Sequence, residues 1–89
     1  MEKIDSQTRI ALKCDELKRF LLDKNNKYGD SALHPARICS KADTVEQIKI
    51  RIDDKLNRIK NQQADEDEDV YKDLAGYLIL LLVARENVQ

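Results

Sequence analysis

The chain is 89 residues long, with 16 Lys and Arg against 17 Asp and Glu and a formal charge of −1. That length predicts a single domain at the small end of what folds alone, and the balanced charge argues against a general nucleic-acid binder, which carries a basic excess. With 23 Ile, Leu and Val residues, one Phe and no Trp, the core must be aliphatic, and a chain this small is expected to complete its burial as a homo-oligomer.

Met1-Glu2-Lys3-Ile4-Asp5 carries charge where a signal peptide would be apolar. A first helix is predicted from about residue 4 to 24, where Ile10, Cys14, Leu17 and Leu21 form a buried stripe at i, i+4, i+7 and i+11. Cys14 on that stripe reads as packing, and Cys14 and Cys39, 25 apart, read as reduced thiols rather than a disulfide or a zinc site. Asn25-Asn26-Lys27-Tyr28-Gly29-Asp30 should stop the helix, since Asn and Gly allow a left-handed residue. A loop over 25–43 follows, with Pro35 disfavouring helix at His34; its length marks it as functional.

The second helix is predicted over about 44–61, capped by Asp43 with Glu46 completing a capping box. Val45, Ile48, Ile52, Leu56 and Ile59 fall on one face at about 100° per residue, with Arg51, Lys55, Arg58 and Asp54 on one flank. Asn61 to Asp69 reads as an acidic turn leading into a third helix over about 69–87, whose face is Val70, Leu74, Tyr77, Leu78 and Leu81. The octet Tyr77 to Ala84 is apolar all round, so another subunit is the expected cover. The stretch Leu74 to Ala84 is too short to span a bilayer, and a soluble, cytoplasmic protein is expected.

Three polar clusters carry the chemistry. Arg51, Lys55 and Arg58 suit a phosphate grip, Arg by paired hydrogen bonds and Lys as a point charge; ordinary Asp54–Arg58 pairing is the bland alternative. Tyr28, Gly29, Asp30 and Ser31 offer a ring, turn N–H groups and a hydroxyl, with Lys27, His34, Arg37 and Lys41 adding positive or titratable groups nearby. Asp69 and Asp73, one turn apart, and Asp54 could share a Mg²⁺ ion, the only cofactor the pattern suggests. Against that, Asp69 suits a helix N-terminus and Asp73 would be paired or solvated.

In order, Lys24-Asn25-Asn26-Lys27-Tyr28-Gly29-Asp30-Ser31-Ala32-Leu33-His34-Pro35, Ile38 to Asp43, Arg51-Ile52-Asp53-Asp54-Lys55-Leu56-Asn57-Arg58-Ile59, Glu68-Asp69, Asp73-Leu74 and Gly76-Tyr77 resemble the nucleotide modification associated domain 1 family of small phage-type proteins. That family is similar in turn to the MazG-like all-α nucleoside triphosphate pyrophosphohydrolases. The resemblance spans about residues 20 to 85 and implies a MazG-like helical bundle, self-association and a nucleotide-related ligand. It carries Tyr28, Gly29, Asp30, Arg51, Asp54, Lys55, Arg58, Asp69 and Asp73 over as the polar site, but not catalysis. The pyrophosphohydrolases hold Mg²⁺ with a Glu-Glu-x-x-Glu run, whereas this second helix reads Arg51-Ile52-Asp53-Asp54-Lys55.

The expectation is a three-helix, all-α protein that binds a nucleotide or nucleotide-derived signal through its phosphates without turnover, in counter-defence or beside nucleotide-modifying enzymes. Its ligand residues would be Lys27, Tyr28, Gly29, Asp30, Ser31, Arg37, Arg51, Lys55, Arg58 and Tyr77. Two alternatives stay open: a Mg²⁺-dependent nucleotide pyrophosphohydrolase using Asp54, Asp69 and Asp73, and a plain protein-interaction module docking through its third helix.

Overall fold

A computed structural model of the chain describes residues 5–62 and 69–86. These residues form three helices, α1 (Ser6–Lys27), α2 (Thr44–Lys60) and α3 (Val70–Glu86), with no strand among them. The protein is all-α, and no described helix is long and apolar enough to cross a membrane. The acidic turn expected before α3 lies largely outside the described residues, as do Ile4 and residue 87 at the expected outer helix ends.

Each helix begins on an aspartate. Asp5 has extended backbone and its Oδ1 accepts from the Thr8 N–H at 2.7 Å. Asp43 does the same for Glu46 at 2.8 Å, and Asp69 accepts from the Lys72 N–H at 3.1 Å. These carboxylates satisfy N–H groups that the first helical turn leaves without partners. The Glu46 carboxylate turns to Lys49 Nζ at 3.6 Å, an i, i+3 pair within the helix, so Asp43 caps α2 through the Glu46 N–H.

α1 continues to Lys27, three residues past the expected end, because Asn25 and Asn26 remain helical. It stops where Gly29 and Asp30 both turn left-handed, at φ 62° and 60°. Glycine adopts that backbone freely and aspartate is among the few side chains that tolerate it. Asparagine allowed the stop; glycine and aspartate made it.

α2 and α3 pack against each other along their length, with Ile48 only 2 % exposed between them and Val70 and Ala84 buried on α3. α1 meets α3 over a short patch and does not approach the α2 backbone. Gly76 permits that patch: a Cβ there would lie 2.8 Å from Leu21 Cδ2. Phe20 adds to it, its ring lying between Lys24 Nζ at 4.7 Å and Lys72 Nζ at 4.5 Å.

The expected α1 stripe is only half covered. Leu17 and Leu21 are half-buried, whereas Ile10 is 62 % exposed and every residue from Asp5 to Glu16, Cys14 included, is exposed. Twenty-two residues make a helix about 33 Å long, and only its second half has α3 beside it. Cys14 therefore packs against nothing within this chain's core. Leu56 and Leu78, expected on the core faces of α2 and α3, are exposed as well. The result is elongated: the radius of gyration is 15.3 Å, where a compact chain of this length would give about 12 Å.

Candidate functional site

α1 and α2 stay apart, and α3 floors the gap between them. The resulting hollow, about 460 Å³, has a size suited to a small molecule. α1 contributes Phe20, Leu21, Lys24 and Asn25, and the turn after it contributes Tyr28, Ser31 and Ala32. α2 contributes Gln47, Ile48, Arg51 and Lys55, while α3 closes the base with Asp73, Gly76, Tyr77 and Leu80.

Local helical spacing explains who arrives. Gln47, Arg51 and Lys55 stand four apart on α2, beside the Ile48 that anchors it to α3. Asp73 and Tyr77 stand four apart on α3, and Phe20 and Lys24 four apart on α1. Each helix turns one such row into the gap.

The charges are arranged around Asp73. Its Oδ2 lies 3.3 Å from Lys55 Nζ and its Oδ1 3.7 Å from Lys24 Nζ. Arg51 makes no ion pair among the described residues and is exposed at the hollow's edge. Among the described residues three cations thus line the hollow with one carboxylate, alongside three aromatic rings (Phe20, Tyr28, Tyr77), the Ser31 hydroxyl and the amides of Asn25 and Gln47. Such a lining can hold an anion by charge and a flat apolar group by stacking.

Of the residues singled out from sequence, Tyr28, Ser31, Arg51, Lys55, Tyr77 and Asp73 come together here. Lys27 does not; its ammonium sits 5.7 Å from the Tyr28 ring centroid without lining the hollow. Gly29 lines nothing, and the N–H groups of Gly29, Asp30 and Ser31 donate to Asn26, Asn25 and Tyr28 carbonyls within the turn. No glycine-turn cradle for a phosphate therefore exists in this conformation. Asp30 faces the turn as well: its Oδ1 accepts from Asn25 Nδ2 and its Oδ2 from His34 Nδ1 at 2.7 Å. Those bonds, Asn25 first, hold the Asp30 carboxyl below the usual range. The clasp fixes the backbone that presents Tyr28 and Ser31.

Arg37 is diverted elsewhere. Its guanidinium donates to Thr44 Oγ1 at 3.0 Å, and with His34, Lys49 and Arg85 it borders a second hollow over Leu33, Val45 and Leu81. Lys41 Nζ donates to the Arg37 carbonyl at 2.8 Å. Cys39 is exposed and lines neither hollow. Arg58 is half-buried and falls outside the first hollow, because the row it continues has passed the end of the gap.

The three aspartates proposed for Mg²⁺ do not converge. Asp69 caps α3, Asp73 sits between two ammonium groups, and Asp54 is exposed outside the hollow. Among the described residues no group of three or more His, Cys, Asp or Glu side chains could hold a metal ion.

Sequence reasoning missed Phe20, Lys24, Asn25 and Gln47 as site residues. The α1 signal was available: the stripe through Leu17 and Leu21 continues at i+3 and i+4 to Lys24 and Asn25, then to Tyr28. Gln47 carried the same kind of signal, standing one turn before Arg51 on α2; its Nε2 also donates to the Ala42 carbonyl. Comparison of the chain with protein-family models, with curated proteins and with solved structures finds no match.

Proposed function

We propose that the protein binds a nucleotide or a nucleotide-derived signal through its phosphates, holding it rather than turning it over. The observation that carries this reading is the hollow itself, where among the described residues Lys24, Arg51 and Lys55 outnumber the one carboxylate, Asp73, and three aromatic rings stand close by. Lysine and arginine supply the phosphate contacts, and Tyr28 and Tyr77 supply flat faces for a base. The resemblance to the phage-type nucleotide modification associated proteins supports the same ligand class. Among the described residues Asp54, Asp69 and Asp73 stand apart, whereas cleavage of a phosphoanhydride by the MazG-like route needs several carboxylates around one metal ion, and the reading therefore keeps to binding.

The test is native mass spectrometry of the purified protein, followed by release of any ligand on heating. Recovery of an intact nucleotide supports the reading. Release of pyrophosphate from added nucleoside triphosphates with Mg²⁺, lost in Asp73→Asn, would instead establish the hydrolase.

A second reading concerns assembly and rests on a separate observation. Ile10, Leu12 and Leu22 on α1, and Leu78, Ile79, Leu82 and Val83 on α3, are exposed on a chain whose buried core is very small. We propose that a second copy of the chain covers these faces, because a partner needed for folding must be present wherever the chain is made.

A further inference from the structure

Among the described residues Asp73 is the one carboxylate lining the hollow, and its two oxygens are shared between two helices. Oδ1 lies 3.7 Å from Lys24 of α1, and Oδ2 lies 3.3 Å from Lys55 of α2. The Asp73 side chain is 17 % exposed and that of Lys55 13 %, so this pair is half-buried at the floor of the hollow. Lys24 is half exposed at the mouth. α1 and α2 do not meet through their backbones, and Asp73 is a carboxylate that the two ammonium groups share across the gap. One carboxylate between two ammoniums occupies the position a phosphate would take between the same two groups.

We infer that Asp73 is a built-in counter-ion that holds Lys24 and Lys55 in the empty hollow, and that an anionic ligand binds by drawing these lysines from it. The inference rests on the nucleotide-binding reading and adds a rule for ligand charge. A ligand must replace a full carboxylate charge on the lysines while Asp73 remains nearby as a repelling group. A singly charged anion gains little from that exchange. A diphosphate or triphosphate, which also reaches Arg51, gains more. Asp73 thereby sets a threshold that excludes abundant monovalent anions and admits groups carrying two or more charges.

The test compares inorganic pyrophosphate, inorganic phosphate and ADP by isothermal titration against the wild type and Asp73→Asn. Asparagine keeps the shape and removes the charge. The counter-ion role predicts that pyrophosphate and ADP bind the variant about tenfold tighter, with a smaller gain for phosphate. It also predicts a lower melting temperature without ligand, because the carboxylate that both lysines share is then gone. Unchanged or weaker binding by Asp73→Asn overturns the inference; weaker binding would mark Asp73 as an acceptor for a ligand hydroxyl instead. If the wild type binds ADP and the variant gains nothing, the counter-ion role fails and the binding site stands. If neither protein binds any probe, both fail. Lys24→Gln, a change at the exposed end that leaves the core intact, must weaken pyrophosphate binding; no effect would also count against the exchange.

Discussion

On the proposed pairing of two copies, replacing Leu82 by Glu should leave single chains. By the scaling of surface with mass, a compact 10.3 kDa monomer exposes about 5,400 Å². This chain exposes 7577 Å², roughly 2,200 Å² more than that scaling predicts. An obligate homodimer covers about 1,000–2,500 Å² on each partner, so the surplus matches what one such interface would hide. Leu82 is 58 % exposed on the outer face of α3. Burying a whole leucine side chain is worth about 1.5–3 kcal/mol, so its uncovered part carries about 1–2 kcal/mol per chain. In a two-fold interface the residue counts twice, and losing both copies weakens association by roughly thirty- to eight-hundred-fold. The glutamate's own desolvation adds to that loss. Sedimentation velocity over a concentration series reads the effect directly. The wild type should sediment as an assembly and the variant as a lighter species with less helical signal. A wild type that stays monomeric at every concentration and still melts cooperatively would refute the reasoning.

Gly76→Val should lower the melting temperature, since even a Cβ at that position meets Leu21 Cδ2 at 2.8 Å; overpacking of this kind costs about 1–3 kcal/mol. Asp43→Ala removes the acceptor for the Glu46 N–H and should cost about 1 kcal/mol, read from chemical denaturation. The Asp30 carboxyl is held below its ordinary value in the folded chain, so its contribution is present above the unfolded value, near 4. That contribution is lost as pH falls through the lower folded value. Melting curves taken from pH 7 down to pH 3 should therefore show a destabilisation that is smaller in Asp30→Asn.

How much of this was legible from sequence differs between the helices and the gap between them. The cap at Asp43 and the core role of Ile48 follow from local spacing; Asp69 was legible as an acid at the start of α3, and the structure makes it that helix's cap. The row Arg51, Lys55 was legible for the same reason, but Arg58 was not separable from it: helical projection places all three on one flank, and only the length of the gap excludes Arg58. Gly29 was assigned to the ligand because glycine turns commonly cradle phosphates; here its N–H and those beside it are taken by carbonyls of the turn. Ile10 and Cys14 obeyed helical periodicity perfectly well, yet periodicity says only that a face seeks cover, not that this chain supplies it. The Asp73 bridge to Lys24 and Lys55 joins three helices and leaves no trace in any one of them.

The most direct test of the central claim is titration calorimetry with a panel of nucleoside mono-, di- and triphosphates, run on the wild type and on Arg51→Gln. Saturable binding that strengthens with phosphate number, and that weakens at least tenfold in Arg51→Gln, is the predicted result. Absence of heat for every nucleotide, or affinities indifferent to Arg51, would contradict it.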